Sequence, residues 1–233
     1  MYSVSNLYSS IVASEDHWFE YKVNISGQEF SSDDLLSVRA SYKAFAEERP
    51  VVGGCLAGEL EVKILAPDVT IPRMAQVIPY VRATNGTQTS EWIPQGVFYI
   101  DTREVTHNSD GNDVLTFHCY DAMLKTETDY PATTHTWPVS DIRVAEEIAS
   151  TIGASLDTRT YGIMTNAYSI GLPAGYSMRE VLSCIAAMYA GNWVMTYDGA
   201  LRLIALYELP PETNHLIDET YVPITFGGDY ILV

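Results

Sequence analysis

Between residues 17 and 125 the chain runs in short stretches of alternating side chains broken by Gly, Asn and Asp, a pattern that confines this half to antiparallel β-structure. In residues 17–26, Trp18, Glu20, Lys22 and Asn24 fall on one face and Phe19, Tyr21, Val23 and Ile25 on the other. Gly27-Gln28 reads as a tight turn into a returning segment. Residues 60–65 repeat the pattern, with Leu60, Val62 and Ile64 against Glu61, Lys63 and Leu65, after a Gly-rich stretch at Gly53, Gly54 and Gly58. Residues 77–83 form the next strand. The dipeptide Asn85-Gly86 follows it, a pairing suited to the positive φ values of a type I′ hairpin turn. A strand over residues 92–106 comes next, with Val97, Tyr99 and Asp101 opposed to Phe98, Ile100 and Thr102. A turn at Asp110-Gly111 leads into residues 114–120, where Val114, Thr116, His118 and Tyr120 face away from Leu115, Phe117 and Cys119. No amphipathic segment long enough for a helical crossover interrupts the series. An antiparallel barrel or sandwich is therefore expected, not a parallel sheet.

After residue 125 the period changes. The Thr- and Pro-rich stretch 131–138 precedes Ser140, which can cap a helix with the buried stripe Ile142, Ala145, Ile148, Ala149 and Ile152, stopped by Gly153. Ser177-Met178-Arg179-Glu180 is a capping box opening a second helix. Val181, Leu182, Ile185, Ala186 and Tyr189 form its apolar face, and Gly191 is placed to end it. A hairpin follows: Trp193, Met195 and Tyr197 lead to a turn at Asp198-Gly199, and Leu201, Leu203 and Ala205 return. Pro210-Pro211 breaks the chain, and residues 222–233 read as the opening of another β unit. The resulting expectation is an α+β, mainly β chain. Residues 1–130 form an antiparallel β-barrel, residues 131–215 an αβ lobe with two helices and a hairpin, and residues 216–233 the incomplete start of a second barrel.

Charge narrows function. Among 233 residues, 13 Lys and Arg stand against 30 Asp and Glu, a net −17, which excludes a general nucleic-acid binder because phosphate affinity needs clustered cations. Charged residues make up only 18% of the chain, below the usual figure of about 25%, so the acidity reflects scarce Lys and Arg rather than an acidic tail. With 47% hydrophobic residues the chain can bury a core. The N-terminus has no basic residue before Lys22 and no continuous apolar run, so no standard signal peptide is expected. The apolar stretch 181–190 is far shorter than the roughly 18–20 residues of a membrane span, so no membrane anchor is expected. Cys55, Cys119 and Cys184 are odd in number and widely spaced, and read as buried free thiols in a protein folded in a reducing compartment.

Catalytic constellations are absent from the sequence. His17, His107, His118, His135 and His215 are dispersed without metal-binding spacing, and His118, in an alternating strand, reads as a hydrogen-bonded structural residue. No GxSxG, GxxxxGK[ST] or GxGxxG motif occurs. Adjacent acidic pairs such as Glu15-Asp16, Asp33-Asp34, Glu47-Glu48 and Glu146-Glu147 are expected as solvated surface, since glycosidase carboxyls must face each other across a cleft. No catalytic, cofactor-binding or metal-binding residue is assigned, and no cofactor is expected. The 16 Tyr, 4 Trp and 6 Phe suit half-buried barrel positions, and also suit interfaces.

The order of segments resembles a known family. YKVNISGQEFSSDDLLSV, GELEVKIL, EWIPQGVFYIDTREV and DVLTFHCYDAMLKTETDYP look like the first domain of phage tail hub proteins, the baseplate hub or tail-associated structural proteins of prophages of low-GC Gram-positive bacteria. The most specific pieces are Pro94-Gln95-Gly96-Val97-Phe98-Tyr99-Ile100-Asp101 and Tyr120-Asp121-Ala122-Met123-Leu124. SMREVLSCIAAMYAGNWVMTYDGALRLIAL is similar to the lobe that follows that first barrel. The resemblance implies a non-enzymatic structural role. In such hubs each chain supplies two related barrels to a trimeric ring that continues the tail tube, carries the tip or fibre apparatus and lines the DNA channel. It further implies partners among tail tube, distal tail and spike or fibre proteins, DNA passage without specific binding, and a virion-tail location after assembly in the bacterial cytoplasm. Only residues 221–233 stand where the second barrel would begin, so the sequence is expected to be either a truncated piece or a short hub, with weak or failed ring closure. The competing classes are a carbohydrate-binding β module, whose exposed aromatics would stack on sugars, and a cell-wall hydrolase.

Overall fold

The computed structural model describes residues 4–31, 33–43, 45, 51–65, 71–107, 113–132 and 135–206, and the backbone of 225–226 and 229–230. In chain order the elements are α1 (Asn6–Val12), β1 (Trp18–Ile25), β2 (Gln28–Phe30), β3 (Leu35–Ser41), β4 (Cys55–Leu56), β5 (Glu59–Leu65), β6 (Gln76–Thr84), β7 (Ile93–Pro94), β8 (Phe98–His107) and β9 (Asp113–Asp121). A 3₁₀ turn, Ala122–Glu127, leads on to β10 (Val139–Ser140), α2 (Asp141–Thr151), α3 (Thr158–Ile163), β11 (Ser169–Ile170), α4 (Met178–Met188), β12 (Gly191–Met195) and β13 (Leu201–Ala205). The backbones of β14 (Thr225–Phe226) and β15 (Asp229–Tyr230) form an antiparallel pair. The turn expected at Asp110-Gly111, the break at Pro210-Pro211 and the rest of the terminal β unit lie outside the described residues.

The chain is mainly β, as its alternation dictates. One eight-stranded antiparallel sheet runs β2-β1-β6-β8-β9-β5-β3, with β7 added to β6. Every strand on that path sends side chains into one core: Val23 and Ile25 from β1, Phe30 from β2, Leu35 from β3, Val62 from β5, Val77 from β6, Phe98 from β8 and Phe117 from β9. The two end strands are consecutive in the chain, and the five residue steps from Phe30 to Leu35 span at most about 17 Å. The sheet therefore curls on itself. Among the described residues no ladder pairs β2 with β3, so the curl is barrel-like and not hydrogen-bonded shut.

Local chemistry explains where the strands start and stop. In β5 burial alternates without exception, matching its sequence. In β1 only Val23 and Ile25 of the apolar face are buried, while Phe19 and Tyr21 are exposed where the β1–β6 ribbon extends past the core. The strand expected over residues 92–106 is divided into β7 and β8, because Gly96 turns the backbone to φ +123°, a conformation that side-chain-bearing residues rarely adopt.

The lobe has its own core. α2 and α4 bury Val144, Ala145, Ile148, Leu182, Ile185 and Ala186 against Trp193, Leu201 and Leu203, and the Trp193 indole N–H donates to the Leu182 carbonyl at 2.8 Å. The capping box forms in full: Ser177 Oγ accepts from the Glu180 amide, and the Glu180 carboxylate accepts from the Ser177 amide at 2.7 Å. Ser140 occupies the cap position of α2 without a side-chain capping bond. Asp141 Oδ1 accepts from the Ile142 amide instead. Ala190, at φ +45°, makes the left-handed stop after α4 that was expected of Gly191, which opens β12.

The small sheet β13-β12-β4 includes a strand from the first half of the chain. β12 and β13 form the expected hairpin, and β4 pairs parallel to β12 through Cys55 and Trp193. Asn192, buried, accepts from the Gly54 amide at 2.7 Å and donates to the Val51 carbonyl at 2.9 Å. The outer edge of β13 is engaged as well: the Leu201 amide donates to the Ser155 carbonyl, and the Leu203 amide to the Thr160 hydroxyl.

Leu182→Ala is expected to cost about 2–5 kcal/mol of stability through the cavity it leaves, whereas Leu172→Ala, at a position 54% exposed, should stay within about 0.5 kcal/mol. Urea unfolding of the two variants checks this. Equal costs would mean that α4 does not organise the lobe core.

Candidate functional site

The curled sheet and the lobe meet over a cleft of about 760 Å³. Its floor is the outer face of the small sheet. Trp193, Met195, Leu201 and Leu203 point into the lobe core, so the alternation turns Val194, Arg202 and Ile204 the other way, beside Leu56 of β4. One wall is Tyr42 and Lys43, just past β3, and the opposite wall is the start of α3 at Asp157–Arg159. Tyr197 and Asp198 in the hairpin turn close one end.

Tyr42 brings together segments distant in sequence. Its hydroxyl donates to the Gln95 carbonyl, and its ring meets Tyr197 edge-on with centroids 5.2 Å apart and lies 6.0 Å from Phe98. A Cβ at Gly58 would come within 2.7 Å of the Tyr42 ring, and one at Gly96 within 2.6 Å of Phe98. Both positions therefore require glycine.

Asp121 ends β9 at the seam. Its carboxylate, 3% exposed, accepts from the Gly58 amide through Oδ2 at 2.6 Å and from the Met123 amide through Oδ1 at 2.9 Å. Burial pushes its pKa up to about 6, although those two bonds and the nearby Arg179 favour the charged form. Asp157 behaves oppositely. It caps α3, and the Arg159 guanidinium grips it through Nε at 2.8 Å and a second nitrogen at 2.5 Å, holding its pKa down at about 2.

A second polar cluster gathers on α2. Glu147 accepts from Tyr130 at 2.6 Å and from Arg143 Nε at 3.3 Å, and lies hydrogen-bonded against His135. Burial alone would raise its pKa, but these partners hold it below the ordinary value. The pair Glu146-Glu147, expected as solvated surface, is thus half a structural anchor fastening the approach to the lobe onto α2. Of its partners only Arg143, four residues earlier on α2, lay within reach of a local sequence pattern, whereas His135 and Tyr130 lie 12 and 17 residues away. His118 Nδ1 lies 3.9 Å from a Glu61 carboxylate oxygen, directly across the β5–β9 pair. Among the described residues no group of three His, Cys, Asp or Glu is placed to hold a metal, and no helix is long and apolar enough to cross a membrane.

All three cysteines are free, but only Cys55 and Cys119 are buried. Cys184 is exposed, on the outer side of α4. Burial pushes the Cys55 thiol up to about 11 and Cys119 up to about 12.

No family model and no curated protein sequence matches the chain. In fold it is similar to the 43 kDa tail protein of prophage MuSo2 from Shewanella oneidensis, with 9% identity and a TM-score of 0.58 over 87% of this chain and 58% of that one. It is also similar to the tail protein from Neisseria meningitidis MC58, at 15% identity and a TM-score of 0.52 over 87% of this chain and 56% of that one. The chain thus spans less than three fifths of the length of either. The fold is therefore one found in phage tail proteins.

Two outcomes follow from these environments. Asp121→Asn should destabilise the fold by about 1–3 kcal/mol, because an amide N–H then faces a backbone N–H. Since the folded wild type keeps a proton here that the unfolded chain releases near pH 4, Asp121 stabilises most at low pH and loses that contribution as pH rises through about 6. The stability gap between wild type and variant should be wider at pH 5 than at pH 7.5 by on the order of 1 kcal/mol in denaturant titrations; a pH-independent gap would show Asp121 to be charged throughout. A thiol reagent should label Cys184 at once in native protein and Cys55 and Cys119 only after unfolding, for a total of three.

Proposed function

We propose that this chain is a non-enzymatic structural component of a phage tail tip or baseplate hub, linking the tail tube to the tip or fibre apparatus. The observation that carries this reading is the joint likeness of sheet and lobe, over 87% of the chain, to two prophage tail proteins. In this reading residues 1–130 are the first hub barrel, residues 131–215 its lobe and residues 216–233 the start of a second barrel. The full-length protein assembles as a trimer and meets tail tube, distal tail and spike or fibre proteins. It is built into the virion tail in the bacterial cytoplasm. The net charge of −17 supports a place beside a DNA channel, since a duplex slides past carboxylates without finding the fixed cations that would hold it.

Immunogold electron microscopy of particles from a lysogen carrying the gene is the test. Antibody against this chain should mark the end of the tail distal to the head. Labelling of heads, or tails of normal form and infectivity after disruption of the gene, would overturn the reading.

A further inference from the structure

The inner face of the small sheet is covered by α4, but its outer face, with Leu56, Val194 and Ile204 around Arg202, is the open floor of the 760 Å³ cleft. We propose that this cleft receives an extended segment of a partner polypeptide in which an aliphatic side chain is followed by a carboxylate. The aliphatic group lies on Val194 and Ile204, and the carboxylate meets the Arg202 guanidinium. This inference does not depend on the tail reading.

Size and shape come first. Clefts that hold ligands measure about 300–1,000 Å³. A floor three strands wide extends for about 10 Å, the length of about three residues of extended chain. A single aliphatic residue with its two neighbours therefore fits.

Charge selects the chemistry. Three of the chain's 13 cationic side chains, Lys43, Arg159 and Arg202, line this cleft. Lys43 is 3.1 Å from Glu59, and Arg159 is committed to Asp157. Arg202 is paired with no carboxylate among the described residues, and its Nε is shielded from solvent with no hydrogen-bond partner. Of the carboxylates in the cleft, Asp121 is held by two backbone amides and Asp198 accepts from the Thr196 hydroxyl at 2.6 Å, while Asp157 is gripped by Arg159 and feels the Arg202 charge without coming within ion-pair distance of it. A guanidinium with no described carboxylate at ion-pair distance, beside an aliphatic floor, suits one carboxylate beside an aliphatic group. A polyphosphate would need several free cations, and the cleft offers one.

Fluorescence anisotropy at 0.15 M salt tests the proposal, with labelled, end-capped hexapeptides carrying a central Val-Leu-Asp, Val-Ile-Asp or Val-Leu-Glu and their Asn or Gln counterparts. At least one acidic peptide should bind, and its amide counterpart should bind ten-fold or more weakly. Arg202→Gln should remove that ten-fold preference while leaving the amide peptide's affinity unchanged, and Ile204→Asp should abolish binding of both. Ile204 is 36% exposed, so Ile204→Asp is expected to fold, and thermal melts of both variants matching wild type establish this. No binding by any acidic peptide below 1 mM, equal binding of acid and amide forms, or an unchanged preference in Arg202→Gln would each overturn the proposal. Displacement of the peptide by butyrate as effectively as by unlabelled peptide would also overturn it, in favour of a small-carboxylate site, and self-association abolished by Arg202→Gln without peptide binding would do so in favour of a second copy of the chain.

Discussion

The buried carboxylate of Asp121 fixes how the sheet meets the lobe. One of its oxygens closes the turn that converts the last strand into the 3₁₀ segment, and the other holds Gly58, the link between β4 and β5. Those strands belong to different sheets, so one side chain sets both the exit of the chain into the lobe and the crossing of an earlier segment between the two cores. The carboxylate is desolvated in the process, which is why its pKa rises despite two accepted hydrogen bonds. Tyr42 lies against Gly58 on the cleft side, so the bridge and the cleft wall are packed as one unit.

This bridge works because the lobe is not built from its own stretch of chain alone. β4 enters the small sheet beside β12, and around it the Gly53 amide donates to the Gly191 carbonyl at 2.8 Å and Arg179 donates to the Cys55 carbonyl at 2.7 Å. Separating lobe from sheet would expose these backbone groups together with the apolar side chains of Cys55 and Leu56. Backbone pairing of that kind is costly to break in a dry interior. The two cores should accordingly hold a fixed relative orientation, and the cleft between them a fixed shape.

Much of this was legible in the sequence where a single physical rule acted alone. β5 alternates because one face is dry and the other wet, and the α4 capping box is a local exchange of hydrogen bonds; both read directly. Rules in competition hid the rest. β3 carries a register shift between Leu35 and Ser37 that breaks its alternation, α1 is a short helix that buries Ile11 alone and is tied down at its cap by Ser5, whose amide and hydroxyl both donate to Glu91, and α3 depends on Asp157 being gripped by Arg159. The motifs around Gly96 and Asp121 were visible as resemblance, and the structure gives their physical content: Gln95 receives the Tyr42 hydroxyl, Gly96 gives Phe98 its room, and Asp121 ties the seam. The cleft floor was hidden for another reason. Its residues are the outward halves of strands that were read for their inward halves, and its walls come from positions as far apart as 42 and 159.

The scarce cations show how the acidity is used. Lys22, Lys43, Lys63, Arg73, Arg82, Arg143, Arg159 and Arg179 each lie within 4.0 Å of a carboxylate of the same chain, and Arg103 and Lys125 donate to backbone carbonyls. Exposed pairs of this sort contribute about 0–1 kcal/mol each, so fold stability does not account for the arrangement. Its larger effect is on the field: cations neutralised in place leave the surplus carboxylates to set the potential outside the molecule. A surface built this way repels a passing polyanion, and recognition of a polypeptide segment then falls to apolar area and the few cations outside ion pairs. Arg202, outside ion-pair distance of any carboxylate among the described residues and set above an aliphatic floor, has the character such recognition requires.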